Sequence, residues 1–120
     1  DTSPVDATPW VARAHGREET FQTDLEARAE IEDAVRALTR RAVADIDAEG
    51  RPAARVGLKV RLRPFITVSR SLTLPAPTND PILLEDAAVS LLDRLDPRDR
   101  ERPVRLLGVR LEMVPPPEGY

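Results

Sequence analysis

Arg55, Lys59, Arg61 and Arg63 sit at alternate positions of the run Arg55-Val56-Gly57-Leu58-Lys59-Val60-Arg61-Leu62-Arg63. Strand side chains point to opposite faces in turn, so this run places its cations on one face and Val56, Leu58, Val60 and Leu62 on the other. Between Arg51 and Pro75 there are six basic residues (51, 55, 59, 61, 63 and 70) and no acidic one. A row of cations on one pleat face has the spacing to follow a row of phosphates, and the extended anion it suits is a nucleic-acid backbone. An ordinary solvated sheet face, where Lys and Arg are common, is the alternative.

Other residues extend the same chemistry. After Pro64 the alternation resumes, with Ile66, Val68, Leu72 and Leu74 on one face and Thr67, Ser69, Ser71 and Thr73 on the other. Arg70 breaks the pattern on the aliphatic side, which implies a bulge or an edge strand. Arg17 and Arg110 are expected to join the cationic face from the first and last strands. Hydroxyls and arginines donate to phosphate oxygens and hold a duplex without reading its bases. Stacking on unpaired bases needs aromatic rings. Only Phe21 and Phe65 are available, and each suits the core or a bend equally well, so duplex backbone is the better fit.

Catalytic constellations are poor. His15, the sole histidine, stands beside Gly16 and reads as a turn or surface residue, not a base. Glu18-Glu19 and Glu32-Asp33 fall in charged, solvated patterns. There is no glycine-rich phosphate loop, serine nucleophile motif or metal-ligand cluster. Catalysis by this chain alone is not expected, and neither is a cofactor.

The elements that must position these side chains follow from periodicity. Arg17–Thr23 reads as a strand. A helix follows, with Thr23-x-x-Glu26 as a capping box and Asp24 as a rival cap. Its buried stripe is Ile31, Val35, Leu38, Ala42 and Ile46, and Gly50 and Pro52 end it. Two strands come next, separated by a bend at Pro64. Residues 75–81 form a loop into a second helix capped by Asp80, with Pro81 at its first position and Leu84, Ala88, Leu91 and Leu95 as its stripe. A charged connector, 96–103, leads to a last strand over 104–114. The order β-α-β-β-α-β with alternating strands implies an α+β, ferredoxin-like fold, with one sheet, helices on one face and the other face open.

Composition sets the limits. The chain has 120 residues, 41% hydrophobic but only 3% aromatic, and a net charge of −3. That suffices for one domain with an aliphatic core. Charge is segregated: residues 24–49 hold eight acids and four bases, against none and six over 51–75. Cysteine is absent, which excludes disulfides and thiolate sites and is compatible with a cytoplasmic location. No apolar run approaches the ~18 residues of a membrane span, and no signal peptide is visible. Seventeen of the eighteen cations are Arg, which a GC-rich coding genome explains as well as chemistry does. Residues 1–14 read as a linker that Trp10 and Val11 pin to a groove, 15–114 as the domain, and 115–120 as a flexible tail. The start at Asp1, without Met, suits a piece of a longer chain.

Three segments, in this order and spacing, resemble a known family. They are Gly16-Arg-Glu-Glu-Thr-Phe21, Phe65-Ile-Thr-Val-Ser-Arg-Ser-Leu-Thr-Leu-Pro75 and Pro103-Val-Arg-Leu-Leu-Gly-Val-Arg-Leu111. Together they resemble the little-finger domain of Y-family translesion DNA polymerases, of the DNA polymerase IV (DinB) type found in actinobacteria. The resemblance implies an open sheet lying across template–primer duplex DNA in a monomeric fragment. Arg17, Thr20, Ser69, Arg70 and Thr73 then match backbone-touching positions, and Arg105 and Arg110 lie along the template strand. Leu72 and Leu106 stand where some relatives carry Arg, and Ala14-His15 replaces a Ser-Ile or Ser-Val pair. The polymerase palm, with its Mg-binding carboxylates, is missing, so the resemblance implies DNA binding without polymerisation. It also implies a sliding clamp as a partner of the parent protein, although Pro115–Tyr120 is no clamp-docking peptide. Two other classes fit the topology. One is a protein-interaction domain using the open sheet or the acidic helix. The other is an acylphosphatase-like enzyme, which lacks the Arg-Asn pair such chemistry needs.

Overall fold

The structure, a computed structural model, describes residues 13–115. The elements are β1 (Ala14–Leu25), α1 (Arg28–Glu49), β2 (Ala53–Leu62), β3 (Ile66–Thr78), α2 (Pro81–Ser90), a 3-10 turn (Leu91–Arg94), the one-turn α3 (Pro97–Arg100) and β4 (Val104–Met113). The strands form one sheet in the order β1-β4-β2-β3, with every neighbouring pair antiparallel. Each β-α-β unit therefore straddles a strand from the other unit. The expected α+β architecture is present.

One face of the sheet carries the core. Val56, Leu58, Val60 and Leu62 of β2 and Leu107, Val109 and Leu111 of β4 are buried against the helices. From α1 the stripe Ile31, Val35, Leu38, Ala42 and Ile46 meets them, as its three- and four-residue spacing requires. Leu84 and Ala88 of α2, then Leu91 and Leu95, complete the layer. Gly50 closes α1 in the left-handed conformation (φ 73°), its N–H bonding back to Ile46 and Asp47. Asp80 caps α2 by accepting from the Ile82 N–H at 2.9 Å.

Several boundaries differ from those the sequence implies. β1 starts at Ala14, and α2 stops at Ser90, so that Leu91 lies in the 3-10 turn and Leu95 just after it, although both still reach the core. The first strand runs on to Leu25, and α1 starts at Arg28 behind Ala27, without a side-chain cap. Neither Thr23 nor Asp24 caps it. Leu25 pairs with Val104, Phe21 and Leu25 pack on the core, and Asp24 is held by Arg63 at 2.6 Å. Tertiary contacts thus outweigh a local capping pattern. β3 likewise extends through Pro75 and Pro77 to Thr78, where a loop was expected. Proline lacks an N–H, but β3 is an edge strand and its outer side needs none. Of the expected linker and tail, Trp10, Val11 and residues 116–120 lie outside the described residues.

The edge strand β1 is pinned to α1 by a bidentate pair. Arg17 Nε and Nη2 each donate to Asp45 at 2.8 Å. These hydrogen bonds hold the Asp45 carboxyl below the usual carboxylate range and raise Arg17 further. His15, one strand position before Gly16, lies 3.0 Å from Glu49 of the same helix. It is a strand residue facing α1, not a turn.

Two outcomes follow. Leu38, fully enclosed by the core, should cost about 2–5 kcal/mol as Leu38→Ala in urea unfolding. Asp45 has a lowered folded pKa, so its contribution is present above the unfolded value near 4 and is lost as pH falls through the folded one. Asp45→Asn should therefore melt below wild type at pH 7, with the gap closing below about pH 4. A gap that stays constant across that range would show that the pair contributes nothing through charge.

Candidate nucleic-acid interface

Among the described residues no element covers the second face of the sheet. The ladder registers assign its side chains to four cross-strand rows. From β1 through β4 and β2 to β3 these are Ala14–Glu112–Arg55–Thr73, Gly16–Arg110–Gly57–Ser71, Glu18–Gly108–Lys59–Ser69 and Thr20–Leu106–Arg61–Thr67. Directly paired residues of an antiparallel ladder share a face, so every member of these rows lies on the open side.

The structure brings together Lys59, Arg61, Thr67, Ser69, Ser71, Thr73 and Arg110, as the alternation implies, and Thr20, which the resemblance alone had singled out. Two site residues are not there. Arg17 pairs with Val109 and Arg70 with Leu58, both core-facing positions, so these arginines project on the helix side of the two edge strands. Arg17 is occupied by Asp45. Arg70 donates to the carbonyls of Arg94 and Ser69, at 3.2 and 2.8 Å. The pairing through Arg70 runs in continuous register, so its departure from the pattern reflects an edge strand, not a bulge. Leu72 opposite Val56 is also on the core side.

Arg105 occupies a genuine bulge. Arg61 pairs with Leu106 but Leu62 with Val104, so Arg105 is one extra residue of β4 at that step. It is exposed, while Leu106 faces the open side yet is only 7% exposed. Arg63 follows β2 in a turn with a cis Arg63-Pro64 bond, and Asp24 raises its pKa through the hydrogen bonds of their ion pair.

The cations of this side fall into two groups. Lys59 is held by Glu18 at 3.0 Å and Arg63 by Asp24. Arg55 and Arg61 have only hydroxyl partners, Ser71 at 2.8 Å and Thr67 at 3.3 Å. Arg105 and Arg110 make no side-chain hydrogen bond or ion pair among the described residues. Four arginines on or beside the open sheet are thus without a carboxylate.

Glycines shape the floor beneath them. Arg110 stands between Gly16 and Gly57 on its two neighbouring strands, and Gly108 lies between Glu18 and Lys59. With no side chains at these positions the sheet dips into a shallow concavity of about 660 Å³, along which Lys59, Ser69 and Arg110 stand. A Cβ at Gly108 would come within 3.0 Å of Glu18 Cγ and push that carboxylate aside. Arg55 belongs with the site although the expected set omitted it; it was visible in the first alternation. The glycine floor and Glu18 were not visible, because only the register aligns residues from three strands.

Known proteins share this arrangement. Residues 12–119 match the impB/mucB/samB family C-terminal domain. DNA polymerase IV 2 of Mycobacterium tuberculosis (strain ATCC 25618 / H37Rv) is 40% identical over 110 residues, covering 92% of this chain and 31% of the relative. The chain thus spans about a third of that protein's length. Two solved structures have the same fold. The complex of a beta-clamp processivity factor with the little-finger domain of Pol IV aligns at TM-score 0.65 and 24% identity, over 86% of this chain and 90% of that one. The insertion ternary complex of Dbh DNA polymerase aligns at TM-score 0.64 and 21% identity, over 84% of this chain and 28% of that one. With the family profile matching nearly end to end, the chain belongs to the impB/mucB/samB family C-terminal domain, and its sheet, built and left open in this way, has the fold of the Pol IV little-finger domain.

Proposed function

We propose that this domain is a non-catalytic grip on double-stranded template–primer DNA within a lesion-bypass polymerase of the DNA polymerase IV type. The observation that carries the reading is the set of four arginines, 55, 61, 105 and 110, beside an uncovered sheet and without carboxylate partners. Phosphate oxygens would supply the anions these guanidiniums lack, two N–H donors at a time. Thr20, Thr67, Ser69, Ser71 and Thr73 add hydroxyl donors beside them. None of these contacts discriminates bases, which suits a polymerase that must move along any template. The glycine floor lets a sugar–phosphate strand approach the sheet closely, and Lys59 and Arg63 join on exchanging Glu18 and Asp24 for phosphate.

The parent protein would supply what this chain lacks. Among the described residues no group of three or more His, Cys, Asp and Glu is placed to hold a metal ion. By the resemblance to Y-family polymerases, we assign the Mg of polymerisation to carboxylates of a parent protein's palm. A cytoplasmic parent, a monomeric domain and a sliding clamp as further partner complete the proposal. The fold likeness to a little-finger domain in complex with a beta-clamp supports that last point. No helix among the described residues is long and apolar enough to cross a membrane. Among the described residues the exposed large apolar side chains are Phe65, Ile82 and Leu83, none of them in the four open-face rows, so the open face itself is built for anions more than for an apolar protein partner.

Fluorescence anisotropy with labelled duplexes of unrelated sequence tests this. Affinity should be equal among them and fall steeply with salt, with a log–log slope of about −3 to −4 for four phosphate contacts. Arg61→Glu and Arg110→Glu should each weaken binding and flatten the slope by about one while leaving the melting temperature within a degree or two. Glu18→Gln frees Lys59 and removes a repulsive charge, so it should tighten binding at low salt. Affinity insensitive to salt would sink the proposal.

A further inference from the structure

Phe65 is 94% exposed, the most exposed large apolar side chain among the described residues. It is displayed on a turn that is tied down. The Arg63 N–H donates to the Pro103 carbonyl at 3.1 Å, Arg102 Nη1 donates to the Arg63 carbonyl at 3.3 Å, and the Arg63 guanidinium is fixed on Asp24. A ring held out on a braced turn gains no burial within its own fold. It lies just beyond the last open-face row, Thr20–Leu106–Arg61–Thr67, in line with the strands that carry the free arginines. Arg61, Arg63 and the Arg105 bulge surround this end of the sheet with positive charge.

We infer that Phe65 stacks on the first unpaired template base where the gripped duplex gives way to single strand. The inference rests on the duplex-gripping reading and extends it. A flat ring with cations close by matches the two demands of a single strand, a surface for a base and charge for its phosphates. Inside a duplex every base is already stacked on its neighbours, so an apolar ring finds a free base face only at a junction. A braced turn also keeps the ring in place before the DNA arrives, which limits the ordering lost on binding. The same face thereby distinguishes a template–primer end from uninterrupted duplex, which the arginines alone do not.

The test uses the whole 120-residue chain and three labelled DNAs at one salt concentration. They are a blunt duplex, the same duplex with a five-nucleotide 5′ template overhang, and that overhang with an abasic site at its first unpaired position. Wild type should bind the overhang about five- to tenfold more tightly than the blunt duplex, a factor that one aromatic–base stack supplies. The abasic site should abolish most of the gain. Phe65→Ala should bind all three as wild type binds the blunt duplex, whereas Phe65→Trp should keep the preference and show indole quenching on the intact overhang. Equal affinity of wild type and Phe65→Ala for the overhang would overturn the inference while leaving duplex gripping intact. Failure to bind the blunt duplex would overturn both. A Phe65→Ala effect confined to self-association or to a protein partner, with DNA affinities unchanged, would also overturn it.

Discussion

The basic surface exists because β2 and β4 are central strands with only one side buried. Val56, Leu58, Val60 and Leu62 must face the helices to complete the core, and the two-residue period then forces Arg55, Gly57, Lys59 and Arg61 to the opposite side. Burying a Val or Leu side chain is worth about 1.5–3 kcal/mol, so four in one strand leave no competitive alternative register. The cations are therefore positioned by hydrophobic burial beneath them, with no need of polar contacts of their own. That leaves the guanidinium groups of Arg55 and Arg61 with hydroxyl partners only.

The strand interiors were legible in the sequence for the same reason. Alternation in β2, the stripes of both helices, Gly50 and Asp80 are local signals, and local geometry satisfies each of them. Boundaries were less legible. Thr23 and Asp24 form a credible cap in isolation, but Leu25 reaches Val104 and Asp24 reaches Arg63, partners 79 and 39 residues away in the chain. The faces were legible residue by residue on the central strands and for the hydroxyls of β3, while Arg17 and Arg70 on the edge strands were placed on the wrong side. Arg17 and Arg70 belong to motifs of the right kind, yet each points to the helix side, a fact set by pairing with Val109 and Leu58. Alternation assigns relative faces within one strand; which face is the open one on an edge strand depends on its partner.

Acidic residues temper the surface. Glu18 and Asp24 each occupy a cation on or beside the open side, and the formal charge of the chain is negative. Surface ion pairs of this exposure contribute little to stability, typically below about 1 kcal/mol. Their effect falls on the attraction of an anion at a distance, which they reduce.

The extra residue at Arg105 has a reach beyond its own neighbourhood. Val104 and Leu107 both enter the core although three positions separate them, an odd interval that a regular strand would send to opposite sides. The additional residue reconciles the two phases of β4 and allows Arg105 and Leu106 to stand together away from the helices. Excising Arg105 alone would leave an even interval that a regular strand satisfies, but excising a residue beyond Leu107, where no extra residue absorbs the change, would turn the core positions after it toward water and Arg110 or Glu112 into the interior. The nearby charged stretch 96–103 has no such frame to keep. Length variation among members of this fold should thus gather in that connector and spare the continuous part of the final strand from Leu107 onward.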